Sequence, residues 1–579
     1  GYYRYASLQD FIEQKAPVAF GMTYCYDGID DPSSGATYDQ TSAMFQAETR
    51  ISDRLTATYG IRADAIAYHD LPASNRAIAQ LDWTGHFKTP GSESPDYKSP
   101  TLDTGSWPDS YVHISPRIGF NWQINDKLVL HGGSGMFKGR IPMVFLTCIQ
   151  NSSGMLQNTV TDTGGSGFLA GLENNFLYTE QSLREYLTQN GAKMQAGEGT
   201  LGKGSSITAI SKDFKMPQVW KTSIALDGQF ETSFPMKAGI EGIFCKDVNA
   251  VYVENWNQEN IHSSGRFQGL DTRYDFSDAA TVNPKVSKSG GAMVLSNTNM
   301  GYSWSVCASF AAEPVRNLNL ELSYIYNMAY SVSDMSGSNL SSTWSNVPNV
   351  NSPNSKTLRV SSYSIPHKLT ANATYSLVHY GSKLFGDTEF GLYYSGSNAG
   401  RFSYCYSNDM NGDGVNNDLL WIPSKADDLL FSDIMSGSTV LYSAQEQQRL
   451  FDQFISQDRY LSSHRGQYAG ANEALLPWVN RFDLHVAQNF NNPLSGKEML
   501  QLSLDIMNLG NLICSSWGVV KTNLASNGGR PLTYAGTTDR GIPQYQIATT
   551  DGKPVTDSFE PLSSQSNCWY IQLGAKLSF

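Results

Sequence analysis

Apolar and polar side chains alternate with a period of two through most of the chain. In 569–579, Trp569, Ile571, Leu573, Ala575, Leu577 and Phe579 fall on one face, and Tyr570, Gln572, Gly574, Lys576 and Ser578 on the other. A stretch of about eleven residues is long enough for a tilted strand to cross a bilayer. The rhythm recurs in 55–65, where Leu55, Ala57, Tyr59, Ile61, Ala63 and Ala65 oppose Thr56, Thr58, Gly60, Arg62 and Asp64. It recurs in 114–124 (Ile114, Pro116, Ile118, Phe120, Trp122, Ile124), 318–326 (Leu318, Leu320, Leu322, Tyr324, Tyr326) and 500–506 (Leu500, Leu502, Leu504, Ile506). Soluble sandwiches alternate too, but their strands average about 5–6 residues and their connections are short on both sides.

The connections discriminate. The pattern predicts thirteen strands, at 38–51, 55–70, 113–124, 127–137, 215–230, 235–254, 300–312, 317–332, 364–379, 387–404, 478–490, 498–508 and 567–579. Short links (52–54, 125–126, 231–234, 313–316, 380–386, 491–497) alternate with long ones (71–112, 138–214, 255–299, 333–363, 405–477, 509–566). Turns on one side and long loops on the other are the signature of an all-β, transmembrane antiparallel up-and-down barrel, with periplasmic turns and extracellular loops. Two loops carry predicted helices. Ser443 and Glu446 form a capping box ahead of Leu450, Phe451, Phe454 and Ile455; Thr179 caps a helix with Leu183, Tyr186 and Leu187, ending at Gly191.

Composition narrows the class. Charged residues are 16% of the chain, aromatics 12%, and the formal net charge is -12. No stretch approaches the roughly 18 apolar residues of a transmembrane helix, aromatics argue against disorder, and the acidic balance argues against a general nucleic-acid binder. Seven widely spaced cysteines (Cys25, Cys148, Cys245, Cys307, Cys405, Cys514, Cys568) without a CxxC indicate neither a disulfide framework nor a zinc site.

Several segments resemble the barrel of TonB-dependent outer-membrane transporters. Leu55–Asp64 is similar to that family's strand ending in G-L-R-Y-D; Ser115–Phe120 and Gly132-Gly133-Ser134-Gly135 are similar to its S-P-R-x-G-F hairpin. Arg481-Phe482-Asp483-Leu484 and Asp505–Asn511 resemble its last hairpin. Lys215–Thr222, Gly400–Tyr404, Asn408–Pro423 and Tyr460–Arg465 are similar to the Oar-like branch of Bacteroidota and myxobacteria. The resemblance implies a Gram-negative outer-membrane receptor in contact with lipopolysaccharide. It would take a peptide, protein or glycan ligand at its surface loops. A TonB complex would act on it through an N-terminal plug and contact box, neither of which lies within these residues. Two other functions stay open: a surface binding or assembly protein anchored by the barrel, and a passive porin.

The chemistry-bearing segment is 409–418. Asp409, Asn411 and Asp413 followed by Gly414 match positions 1, 3, 5 and 6 of a calcium loop; the Val415 carbonyl takes position 7, and Asn417 and Asp418 lie nearby. Position 12 is Leu420, so the bidentate Glu is missing. Ca²⁺ is the one cofactor expected. The alternative is a plain Gly/Asn/Asp turn. Two Asp-Thr-Gly triplets, 103–105 and 162–164, lack the apolar strand that a catalytic carboxylate pair needs. Gly132–Gly135 and Gly164–Gly167 lack the last Gly of G-x-S-x-G, and no H-E-x-x-H occurs, so no enzyme is expected. His113, His131, His367 and His485 read as strand or strand-end residues, and His464 as a loop residue. The inward face mixes signs (Arg62, Asp64, Lys221, Glu241, Glu321, Asp483, Lys576), which suits a plugged lumen or a water-filled one. Ligand-binding residues are expected in the loops rather than at named positions, with Tyr252–Trp256 and Trp344–Asn354 having the composition of adaptable surfaces.

Thirteen is odd, whereas bacterial single-chain barrels have even counts. A C-terminus on the periplasmic side then puts Gly1 in an extracellular loop. The chain is expected to be the C-terminal portion of a barrel of about 22 strands, with about nine more and a plug on an upstream segment or separate chain. A rival count exists. Val18, Phe20, Met22, Tyr24 and Tyr26 alternate with Ala19, Gly21, Thr23 and Cys25, and this segment could be a fourteenth strand pairing with 567–579 and closing the barrel.

Overall fold

The computed structural model describes all residues except 32, 90–98, 163–168, 170–171, 173–178, 200, 202–204, 278–280, 289, 493–497, 524–528 and 579. Phe579, the Gly164–Gly167 segment and most of the 491–497 link therefore lie outside the described residues.

Among the described residues, thirteen long strands form one antiparallel wall, each bonded to its neighbours in sequence. They are β1 (Thr37–Ser52), β2 (Leu55–His69), β3 (Val112–Asn125), β4 (Leu128–Lys138), β5 (Gln218–Glu231), β6 (Pro235–Asn255), β7 (Tyr302–Val315), β8 (Leu318–Ser331), β9 (His367–Leu377), β10 (Phe385–Asn398), β11 (Trp478–Asn491), β12 (Glu498–Met507) and β13 (Tyr570–Leu577). The registers bring the alternating apolar residues into one continuous belt. Tyr59 faces Ile118, Leu226 faces Ile240, Phe310 faces Leu322, Tyr394 faces Phe482, and Leu504 faces Leu573. These side chains lie on the outside, exposed except for the half-buried Tyr394 and Leu504, where lipid is the solvent, while the ladder satisfies the backbone. The intervening residues make a polar inner wall in which several charges pair. Asp64 accepts from Arg62, Ser42 and Gln40; Arg481 meets Asp483 at 3.1 Å, and His131 meets Asp227 at 2.9 Å.

The fourteenth-strand alternative is corrected by the pairing. Ala19–Cys25 bonds to Tyr2–Arg4 on one side and Gln157–Asp162 on the other, and β13 bonds to β12 alone among the described residues. Phe20 and Tyr24 explain why: they are buried in a loop cluster with Tyr186 and Leu187 rather than facing lipid. The outer edges of β1 and β13 have no partner strand among the described residues.

The predicted strand 387–404 also ends early, at Asn398. Beyond it, Tyr404 turns into the loop core and donates its hydroxyl to Asp458 at 2.8 Å, a burial that a lipid- or lumen-facing position could not provide.

The long connections build a cap above the wall. β6 overruns the membrane span, and its last residues pair with Ala292–Thr298, which pairs in parallel with Ile207–Ile210. One hydrophobic core joins Phe267 to residues from 404–474 and 532–555. Helix α1 (Ala444–Gln457), capped by Ser443 on the Glu446 N–H, sends Phe451, Phe454 and Ile455 into it. The helix capped by Thr179 spans Glu180–Gln189, with Ser182 completing the box, and buries Tyr186 and Leu187. His113, His131 and His485 lie in strands, His367 opens β9, and His464 follows a short helix. All seven cysteines are free.

Candidate metal centre in the loop cap

Residues 409–418 fold back on themselves through Gly412 and Gly414, at φ of 75° and 99°. Gly412 is forced: a Cβ there would lie 2.7 Å from the Ser277 backbone nitrogen. Asp409 accepts from the N–H groups of Gly412, Asp413 and Gly414 at 2.7, 3.1 and 2.8 Å. Asn411 accepts from the Asp413 N–H at 3.0 Å, and its amide donates to the Asn351 carbonyl at 2.6 Å. One oxygen of Asp413 accepts from Val415 N–H at 3.0 Å, and one of Asp418 from Met410 N–H at 2.9 Å.

This leaves three carboxylates, Asp409, Asp413 and Asp418, each offering an oxygen within 4.8 Å of the others. Asp413 is 2% exposed and Asp418 0%. The second oxygens, Asp413 Oδ2 and Asp418 Oδ1, are buried without a hydrogen-bond partner. Burial pushes the Asp413 carboxyl well above the ordinary range, and the charges of Asp418 and Asp409 push the same way. Burial lifts Asp418 to about 7 against the pull of Arg273, and raises Asp409 despite its three N–H donors. Concentrated buried negative charge of this kind calls for a counter-charge.

The structure gathers the expected ligands only in part. Asn417 points elsewhere: its amide donates to the Val347 carbonyl at 2.7 Å and to Ser345, and its oxygen accepts from Asn349. The Val415 side chain packs in a separate apolar cluster with Trp344. Leu420, at position 12, is fully buried in the loop core, so the second half of an EF-hand loop has no counterpart.

Beside the carboxylates lies a network that the sequence did not announce. Arg273 is completely buried; its Nε donates to Asp271 at 2.9 Å, Nη2 to the Leu419 carbonyl at 2.6 Å, and Nη1 stands 3.5 Å from Asp418. The guanidinium lies over Tyr406 (4.9 Å) and Tyr468 (5.3 Å). The hydroxyls of Tyr406, Tyr468 and Tyr545 donate to Asp271 at 3.1, 2.9 and 3.4 Å. The available signal was the i, i+2 spacing of Asp271 and Arg273, which puts both on one side of an extended chain. Asp103 of the first Asp-Thr-Gly triplet accepts from the Gly105 N–H and from Ser74, an ordinary Asx turn; the second triplet lies largely outside the described residues. A polar cavity of about 360 Å³ opens next to Asn417, lined by Asp334, Arg359, Ser403, Asn472 and Arg530.

The sequence profile of the outer membrane beta barrel domain matches residues 19–540. The chain belongs to this family. It is an outer-membrane barrel protein, in keeping with its lipid-facing belt and one-sided loops. Among solved structures, this barrel is similar to the FrpB iron transporter from Neisseria meningitidis (F3-3 variant), with 10% identity, TM-score 0.35, and 93% of this chain against 45% of that one. It is also similar to the copper transporter OprC, with 10% identity, TM-score 0.37, and coverage of 97% and 54%. The ferric citrate transporter FecA in the unliganded form matches at 10% identity, TM-score 0.34, with coverage of 93% and 45%. The barrel chain thus spans about half the length of these structures. No curated protein matches its sequence.

Proposed function

We propose that the chain is the C-terminal part of a TonB-dependent transporter barrel of the Oar-like branch, and that its loop cap captures a peptide, protein or glycan for passage across the outer membrane. The observation that carries the reading is the cap itself: long loops on one side only, folded around their own hydrophobic core above a polar wall. Binding residues concentrate on loops held by rigid scaffolds. The polar cavity between Asp334, Arg359, Asn472 and Arg530 offers hydrogen-bonding groups of both kinds to such a ligand. The polar inner wall, with charges of both signs, suits a lumen filled by a plug, through which TonB would act. Further strands would pair with the outer edges of β1 and β13.

The test exchanges the loops 399–477 and 508–569 together for those of a relative, because they share one core. Ligand preference is expected to follow the loops, and collapse of the proton-motive force is expected to stop uptake while leaving surface binding intact. Preference that follows the strands refutes capture by the cap. Uptake that needs no energy refutes the transporter reading and favours a porin.

A further inference from the structure

Four long loops meet at the carboxylate cluster. The Asn411 carbonyl accepts from the Phe276 N–H at 2.6 Å, tying in the loop 256–301. Asn351, through Asn411, and Asn349, which accepts from Leu419 N–H at 2.8 Å, tie in 332–366. Tyr406 N–H donates to the Asp418 carbonyl at 2.9 Å, and the next residue, Ser407, donates to Leu532 at 2.8 Å, tying in 508–569. The junction therefore carries the cap, yet its centre is electrostatically unfinished. Asp409, Asp413, Asp418 and Asp271 bring four negative charges. Among the described residues two cations face them: Arg273, which Asp271 already neutralises, and Lys288, whose ammonium donates to the Phe276 carbonyl at 2.7 Å. Asp413 Oδ2 is buried without a hydrogen-bond partner, and Asp418 Oδ1 has no hydrogen bond either, with Arg273 Nη1 standing 3.5 Å away.

We propose that Asp409, Asp413 and Asp418 bind a divalent cation of the Ca²⁺ type, and that this ion fastens the loops 256–301, 332–366, 399–477 and 508–569 into one cap. All the side-chain donors are hard oxygens, which select Ca²⁺ or Mg²⁺ over softer metals. Oxygens within 4.8 Å of one another suit a shell with bonds of about 2.3–2.6 Å. Backbone carbonyls and water complete the shell, since calcium accepts irregular geometry whereas Mg²⁺ demands a near-ideal octahedron. Asn417 is not a side-chain ligand. With no bidentate Glu, affinity falls in the range of extracellular modules, on the order of 10⁻⁴–10⁻³ M.

The test uses the full-length protein purified from outer membranes in detergent, with CaCl2 as the only added probe and EGTA to remove it. Equilibrium dialysis should show one more Ca²⁺ per chain in wild type than in Asp413→Asn, which carries the same lipopolysaccharide background. EGTA should open protease cleavage in the four loops together, with the wall protected. The isosteric Asp413→Asn guards against misfolding. Without calcium it should be at least as heat-stable as wild type, because one repelling charge is gone; with calcium it should be less stable. Equal calcium in the two proteins overturns the proposal, as does a variant more stable than wild type in both conditions, which would mean a protonated cluster with no ion. Mg²⁺ protecting as well as Ca²⁺ at equal concentration overturns the calcium assignment. Failure here leaves ligand uptake by the loops untouched, so the two proposals fall separately.

Discussion

Ile240→Arg tests the assignment of the two faces of the wall. Ile240 stands on β6 between Leu226 and Ala308, with its side chain 53% exposed on the outer belt. It lies five residues past Pro235, where the strand leaves the turn. At about 3.3 Å per residue and a tilt of about 45°, it sits roughly 12 Å above the turn, near the middle of an apolar band about 25 Å tall. Arginine at that depth costs about 2–4 kcal/mol, or about 30- to 700-fold in the folding equilibrium. The adjacent Glu241 points to the polar inner wall, and Glu241→Gln should change stability by less than about 0.5 kcal/mol. Both variants would be unfolded in urea from lipid vesicles and followed by heat-modifiable mobility on cold gels. Equal effects at 240 and 241 would mean that the wall is inside out or that the strand does not cross the bilayer, and the barrel argument would fail.

Two further substitutions probe the cap. Phe454→Ala removes a ring that is 1% exposed in the loop core and should destabilise the cap by about 3–5 kcal/mol; protease cleavage within 399–477 should rise while the wall stays folded, and unchanged cleavage would show that the core does not hold the loop. Asp271→Asn leaves the buried Arg273 without its closest carboxylate and should cost about 3 kcal/mol of cap stability, read as a lower temperature of loop cleavage; Arg273→Met added to it should recover part of the loss, and no recovery would mean that the tyrosine hydroxyls, not the ion pair, are what Asp271 supports.

The wall was legible because its physics is local. A strand with lipid on one side and polar surroundings on the other must alternate, so Leu500, Leu502, Leu504 and Ile506 declared both a strand and its facing. The cap was not legible in the same way. Tyr404 continues an alternating run and reads as strand, yet its partner Asp458 lies 54 residues away. Nothing within the run marks that contact. Val18–Tyr26 alternates equally well, and its pairing with Tyr2–Arg4 and the distant Gln157–Asp162 decides that it belongs to the cap. The carboxylate loop shows both cases. Asp409, Asn411 and Asp413 follow local turn chemistry and share one turn, whereas Asn417 is drawn off by carbonyls of residues 345 and 347 that no spacing rule could place. Asp271 and Arg273 gain their meaning from three tyrosines spread over 406–545.

The sharing of one core among Phe267, residues 404–474 and residues 532–555 also sets the order of assembly. A wall built hairpin by hairpin closes short loops as it grows, but this core closes a span of nearly 300 residues, and it cannot form until the connection between β12 and β13 has reached the outer side. During biogenesis, Phe267, Tyr404, Phe451 and Phe454 must wait unpacked after their own hairpins are in place, until Tyr545 and Ile547 arrive with the connection between β12 and β13. Maturation of the surface is thereby deferred until β13 is inserted, and a barrel stalled before that strand would display these apolar residues to the proteases that clear failed assemblies.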